Sequence, residues 1–188
     1  MNVYEQCPVL QNDQFLLRLV EKEDCSDLLK VYRDPASVPL FNSDNCHGDT
    51  FYYQTMERMA QAIDFWIFSY HNRYFVRWSI IDRSVNQAIG TIELFQREGL
   101  DGMSVTGLLR LDLRSDYERE DVICHLLGLI EESVFEMFGC TSVTTKAAPF
   151  ATVRRAALHQ KGYEESTEEF TGDDGTRYGH YFVYRKSA

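Results

Sequence analysis

Hydrophobic and polar positions switch between two periods along this chain. Phe15 to Val20 is a short run of strand character. After Glu23-Asp24, the apolar residues Cys25, Leu28, Leu29 and Tyr32 recur at helical spacing. Asp34-Pro35 ends that helix, because a residue before proline avoids helical geometry. A loop over 35–49 follows, and a loop of that length in a compact domain often carries function. Asp49 or Thr50 is placed to cap a helix reaching about His71, with Tyr52, Met56, Met59, Ala60, Ile63, Trp66, Ile67 and Tyr70 as its apolar stripe. Three strands are predicted over 74–81, 87–95 and 105–114, separated by turn-like segments at 82–86 and 99–104. The clearest helix is 120–138, where Ile123, Leu126, Leu127, Ile130, Val134, Met137 and Phe138 recur at spacings of three and four and Gly139 ends the run. A strand over 141–146 comes next, then a helix over 151–160 with Val153, Ala156 and Leu158 inward. Two strands, 163–170 and 177–185, flank a Gly-Asp-Asp-Gly turn. Residues 1–13 show little pattern.

The resulting order, β-α-α-β-β-β-α-β-α-β-β, predicts a single domain over 1–188 with its core at about 15–185. The fold class is mixed α/β (α+β), with a mostly antiparallel central sheet flanked by helices. The strand-helix-strand unit from 105 to 146 predicts a right-handed parallel crossover. At 188 residues the chain is long enough to bury a sizeable core. Its 29 Asp and Glu against 19 Lys and Arg give a net charge of −10, which argues against a nucleic-acid partner. No apolar run approaches a membrane span, so no membrane partner is expected, and the first residues lack the pattern of a secretory signal. The five cysteines contain no C-x-x-C pair, which fits a reducing cytoplasm better than a disulfide framework or a zinc site. The five histidines show no ligand spacing, and no metal site is expected.

Three stretches carry a family resemblance. Phe15-Leu-Leu-Arg-Leu-Val-Glu-Lys-Glu-Asp24, Ala88-Ile-Gly-Thr-Ile-Glu-Leu-Phe95 and Leu158-His-Gln-Lys-Gly-Tyr163 occur in the order and spacing of the GNAT superfamily of acyl-CoA-dependent N-acyltransferases. They most resemble its branch that acetylates ribosomal-protein amino termini. The likeness spans about residues 15 to 185. It implies acetyl-CoA as co-substrate and a peptide or small-molecule amine as acceptor, with a homodimer as one possible assembly. It also implies that strand 105–114 splays from its parallel neighbour 141–146 and accepts the pantetheine arm in the gap. Leu111, Leu113 and Arg114 fall on that arm. Arg119 and the backbone of Val122, Ile123 and Cys124 fall where the pyrophosphate meets a helix N-terminus. Arg154 and Arg155 lie within reach of the phosphates, with a solvated helix face as the alternative. By analogy Glu93 is the first candidate base and Asp112 the second. Each has a plainer reading as an ordinary strand carboxylate.

The chain departs from the family at the pyrophosphate loop. Glu118 stands where the pattern has Arg or Gln, Asp121 where it has Gly, and Ile123 where it has Gly or Ala. Glu118, Glu120 and Asp121 therefore bring three carboxylates to a site for an anion, where they also offset the helix dipole. Two readings follow. The first is an N-acetyltransferase using acetyl-CoA; if its loop is merely degenerate, Glu118→Arg with Asp121→Gly should strengthen CoA binding. The second is a degenerate GNAT-fold binding or regulatory module. The aromatic cluster Phe51, Tyr52, Tyr53, Phe65, Trp66 and Phe68 is placed to wall an acceptor pocket, or else to pack the core or a dimer contact.

Overall fold

The computed structural model describes residues 2–131 and 133–186. The strands are β1 (Leu10–Gln11), β2 (Phe15–Leu19), β3 (Val76–Asp82), β4 (Gln87–Glu98), β5 (Val105–Leu113), β6 (Ser142–Lys146), β7 (Glu164–Glu165), β8 (Phe170–Thr171), β9 (Arg177–Tyr178) and β10 (Tyr181–Arg185). The helices are α1 (Cys25–Tyr32), α2 (Met56–His71), α3 (Glu120–Glu131), α4 (Val134–Phe138) and α5 (Thr152–Gln160). Eight strands form one sheet in the order β1-β2-β3-β4-β5-β6-β10-β7, and β8 and β9 form a separate hairpin. Every pairing in the main sheet is antiparallel except β5 with β6. That exception is the crossover expected between 105 and 146.

The sheet is covered on both faces, so its central strands are buried throughout. On one face Val76, Trp78 and Ile80 of β3, Ile92 and Leu94 of β4, and Leu109, Leu111 and Leu113 of β5 pack against α3, α4 and α5. The buried residues of α3 are Val122, Ile123, Leu126, Leu127 and Ile130, a helical stripe. The other face is covered by α1 and α2, with Leu28, Tyr32, Met59, Ile63 and Trp66 fully or almost fully buried.

Several expected boundaries move, each for a visible reason. The cap of α2 is Thr55, whose hydroxyl accepts from the Arg58 N–H, rather than Asp49 or Thr50. Asp49 instead accepts from the Phe51 N–H, the Tyr53 hydroxyl and Arg58. The Tyr53 N–H bonds the Tyr32 carbonyl, so this segment lies along α1 before the helix starts. Tyr52, Met56 and Ala60 consequently face solvent. The single helix expected over 120–138 is two helices, with residue 132 outside the described residues. Residues 2–13 are docked rather than patternless: β1 pairs with β2, Val3 is buried, and the Pro8 carbonyl accepts from the Trp78 indole. The core therefore begins well before residue 15. In α5, Val153 and Ala156 face outward, while Arg154, Ala157 and Leu158 face in. The two closing strands are interrupted, leaving β7 and β10 in the main sheet and β8 and β9 as the hairpin around the expected turn.

Candidate functional site

Strand alternation places a polar row on the α1–α2 face of the sheet. Arg77 of β3 lies opposite Glu93 of β4, which lies opposite Arg110 of β5. Two positions along, Ser79, Thr91 and Asp112 form the next row. The charges interlock. Arg77 Nε and Nη2 both donate to Glu93 Oε2, and Arg110 Nη1 donates to Glu93 Oε1 at 2.8 Å. Arg77 Nη1 donates to Asp112 Oδ2 at 3.1 Å, to Thr91 at 3.0 Å and to the Tyr32 hydroxyl at 2.9 Å. Arg77, Glu93 and Asp112 are buried, and the two guanidiniums balance the two carboxylates. Burial opposes ionisation of Glu93, but Arg77 and Arg110 hold its carboxyl below the usual range. Burial pushes Asp112 up against the pull of Arg77, and its Oδ1 has no partner. Both sequence candidates for the base thus sit in one network, and both oxygens of Glu93 are engaged by guanidiniums.

In front of this row is a cavity of about 280 Å³. Its walls are Phe51, Tyr53, Phe65, Trp66 and Phe75, and Arg77, Glu93 and Arg110 also line it. Asn45, Cys46, His47 and Asp49, from the end of the long loop, line it as well. Four of the six aromatic residues singled out in the sequence meet here, while Tyr52 and Phe68 are exposed. Arg77 lies 4.2 Å from the Trp66 ring centroid and 5.6 Å from that of Phe51. Sequence reasoning missed Arg77 and Arg110. A signal existed for Arg77: a lone charge within Phe75-Val-Arg-Trp-Ser-Ile-Ile81, in phase with Ser79 and out of phase with Val76, Trp78 and Ile80.

The parallel pair parts where the resemblance implied. Pairing of β5 with β6 runs from Thr106↔Ser142 to Leu109↔Thr145, and β5 continues four residues further beside β4 alone. The wedge beyond Leu109 holds the side chain of Arg154. Its Nη1 donates to the Leu111 carbonyl at 2.8 Å and to the Leu40 carbonyl at 3.0 Å. Its Nε and Nη2 form a two-point pair with Glu118, each at 2.8 Å. Arg154 is 4% exposed, and the Glu118 side chain is 10% exposed. The remaining cofactor candidates are dispersed. Leu111, Leu113, Val122 and Ile123 have buried side chains in the core. Arg114 pairs with Asp116, Arg119 with Asp121, and Arg155 with Glu165. The Cys124 thiol faces Gln160 of α5 at 3.3 Å.

No protein-family model matches the sequence, and no curated protein matches it either. Solved structures do match the fold. A Vibrio cholerae protein assigned as a ribosomal-protein-serine acetyltransferase superimposes with a TM-score of 0.73 at 12% identity, over 99% of this chain and 100% of that one. The chain has the GNAT fold. RimL, a ribosomal-protein alpha-N-acetyltransferase solved with coenzyme A, gives a TM-score of 0.69 at 9% identity over 95% of this GNAT-fold chain and 98% of its own. A Vibrio cholerae spermidine N-acetyltransferase with CoA and spermine gives 0.62 at 12% identity, over 92% and 94%. At these identities the likeness is one of fold. CoA complexes exist within this fold, but the residues of this chain do not fit CoA as they stand. Arg154 donates to the Leu111 carbonyl, and Glu118 pairs with Arg154.

Proposed function

We propose that this chain is a GNAT-fold protein that binds a small molecule in the aromatic cavity and keeps the acyl-CoA wedge closed. The observation that carries this reading is the Arg154 guanidinium on the Leu111 carbonyl. A pantetheine arm pairing with β5 needs that backbone group, and entry would break four charge-assisted hydrogen bonds. The start of α3 adds to the barrier, since Glu120 and Asp121 lie in its first turn and repel a pyrophosphate. Isothermal titration of the whole chain with acetyl-CoA tests the reading. No saturable heat is expected up to millimolar ligand, and micromolar binding would refute it.

A second reading is favoured by one observation: β5 and β6 do separate beyond Leu109 and Thr145. In that reading the chain is an N-acetyltransferase acting from acetyl-CoA on a peptide amino terminus or a small amine, and Arg154 leaves the wedge first. Thiol release from acetyl-CoA, measured with an alanyl peptide and with spermine, tests it. Release that depends on the amine would support it, and none would count against it.

A further inference from the structure

The aromatic cavity is electrically balanced, and that balance selects its ligand. Three guanidiniums meet three carboxylates. Arg58 pairs with Asp49, Arg110 with Glu93, and Arg77 with both Glu93 and Asp112. Asp112 does not line the cavity but belongs to the same network. The acceptors are also taken. Asp49 Oδ1 accepts from the Phe51 N–H, and Oδ2 accepts from the Tyr53 hydroxyl and Arg58 at 3.0 and 2.8 Å. Both Glu93 oxygens accept from guanidiniums. An anion entering here brings a charge with no counter-charge left for it, and so does a cation. Taking an ion out of water without a counter-charge is strongly unfavourable.

The ring faces argue against a cation on independent grounds. Aromatic faces attract cations, but those of this cavity already have theirs. Arg77 lies 4.2 Å from the Trp66 ring centroid and 5.6 Å from that of Phe51, and Arg58 lies 4.3 Å from that of Tyr53. A further cation over the same rings meets those guanidiniums. The walls remain available to an apolar surface. Phe51 joins them with left-handed backbone, at φ of 60°, where a bulky aromatic residue is strained. Its ring is nevertheless buried against Tyr53, so this part of the wall is built against the local backbone preference.

From the balanced charges, the occupied ring faces and the five aromatic walls, we propose that the cavity binds an uncharged arene. The volume of about 280 Å³ sets its size. An apolar cavity of roughly 150 Å³ admits one benzene ring, so two fused rings fit here. The ring system packs among Phe51, Tyr53, Phe65, Trp66 and Phe75, and a polar substituent meets the loop side of the cavity at Asn45 and His47. This inference rests on the cavity being the ligand site, as proposed above.

The test is isothermal titration of the full chain with three probes on one ring system: 2-naphthalenemethanol, 2-naphthoate and 2-naphthylmethylamine, which are neutral, anionic and cationic at neutral pH. The alcohol is expected to bind about tenfold more tightly than either ion. Phe65 lines the cavity and is 56% exposed, so Phe65→Ala is expected to fold and to weaken the alcohol about fivefold. Arg58 is partly exposed, so Arg58→Gln is also expected to fold. It leaves Asp49 without its counter-charge and bares the Tyr53 face, and should tighten the amine about fivefold. Equal or tighter binding of either ion to the wild type would overturn the uncharged class while leaving the cavity as a binding site. An unchanged amine affinity in Arg58→Gln would overturn the charge-balance argument. Unchanged alcohol affinity in Phe65→Ala, or failure of all three probes, would overturn the cavity as the ligand site and this inference with it.

Discussion

Opening the wedge is the most informative perturbation. Arg154→Ala alone removes four hydrogen bonds and leaves Glu118, 10% exposed, as a carboxylate without its partner. Stranding a buried charge costs roughly 3–5 kcal/mol. Glu118→Ala strands Arg154 in the same way, although the Leu40 and Leu111 carbonyls still accept from it. The double variant strands neither. Its loss of stability should fall short of the summed single losses by about 4 kcal/mol, the worth of the two charge-assisted bonds between them. Urea unfolding of the wild type, both single variants and the double variant gives that coupling directly. The same variants report on ligand access. Two charge-assisted bonds between Arg154 and Glu118, at about 2 kcal/mol each, make closure worth about 4 kcal/mol. That is on the order of a thousandfold in affinity. The double variant is therefore expected to bind acetyl-CoA about a thousandfold more tightly than the wild type in isothermal titration. Additive stability losses, or equal acetyl-CoA affinity in the wild type and the double variant, would refute the closure argument.

Three other outcomes are expected. Glu118→Arg with Asp121→Gly restores the family pattern on paper, but it sets a second guanidinium against the buried Arg154 and should lower stability by roughly 3–5 kcal/mol in urea unfolding; an undiminished midpoint would contradict this. Gly90→Ala places a Cβ 2.1 Å from the Asp112 carbonyl oxygen, so β4 and β5 must separate there. A loss of roughly 1–3 kcal/mol or more is expected, and a change within 0.5 kcal/mol would disprove that close approach. Burial alone would raise the Asp24 carboxyl, but Arg18, the Ser79 hydroxyl and the Glu21 N–H together hold it below the usual range. A depressed carboxyl adds stability above its unfolded value, near pH 4, and loses it as pH falls through the folded value. The stability gap between the wild type and Asp24→Asn should thus be steady at neutral pH and shrink below about pH 4; thermal midpoints at pH 7 and pH 3 that differ by a constant amount would contradict it.

The elements set by local periodicity were legible from sequence. The α3 stripe, the β3–β4–β5 meander and the parallel return through β6 follow from spacing and turn residues alone. What escaped was decided by partners distant in sequence. Arg154 was read as a phosphate ligand or a solvated charge beside an apolar Val153, because hydropathy assigns guanidiniums to solvent. Its inward position depends on Glu118, 36 residues earlier. The cap of α2 escaped for a related reason: Asp49 had the right chemistry for a cap, but the Phe51 N–H, the Tyr53 hydroxyl and Arg58 claimed its oxygens first. The resemblance named Glu93 and Asp112, and the structure brings the two into one network through Arg77. Their guanidinium partners lie across the sheet and were not read.

The oddities of the turn before α3 and of α5 are one feature rather than two. A Glu where the family has Arg or Gln, taken alone, is an anion in an anion site. An Arg at the third position of α5, taken alone, is a charge near the phosphates. In space they form a single buried pair whose Arg154 end also donates to the Leu40 carbonyl of the long loop and the Leu111 carbonyl of β5. Such a pair ties together four segments: the loop before α2, the parting end of β5, the turn before α3, and α5. A wedge merely relieved of its ligand would have a bare carbonyl edge, with polar groups needing water or a partner. Here the edge has a partner that satisfies Leu111 and needs Glu118 to be buried at all. Glu118 and Arg154 therefore depend on each other. Each is unfavourable alone, because one leaves a largely buried carboxylate unpaired and the other buries a lone guanidinium. Together they fill the sheet edge beside Leu111, while the aromatic cavity opens in front of Arg77, Glu93 and Arg110.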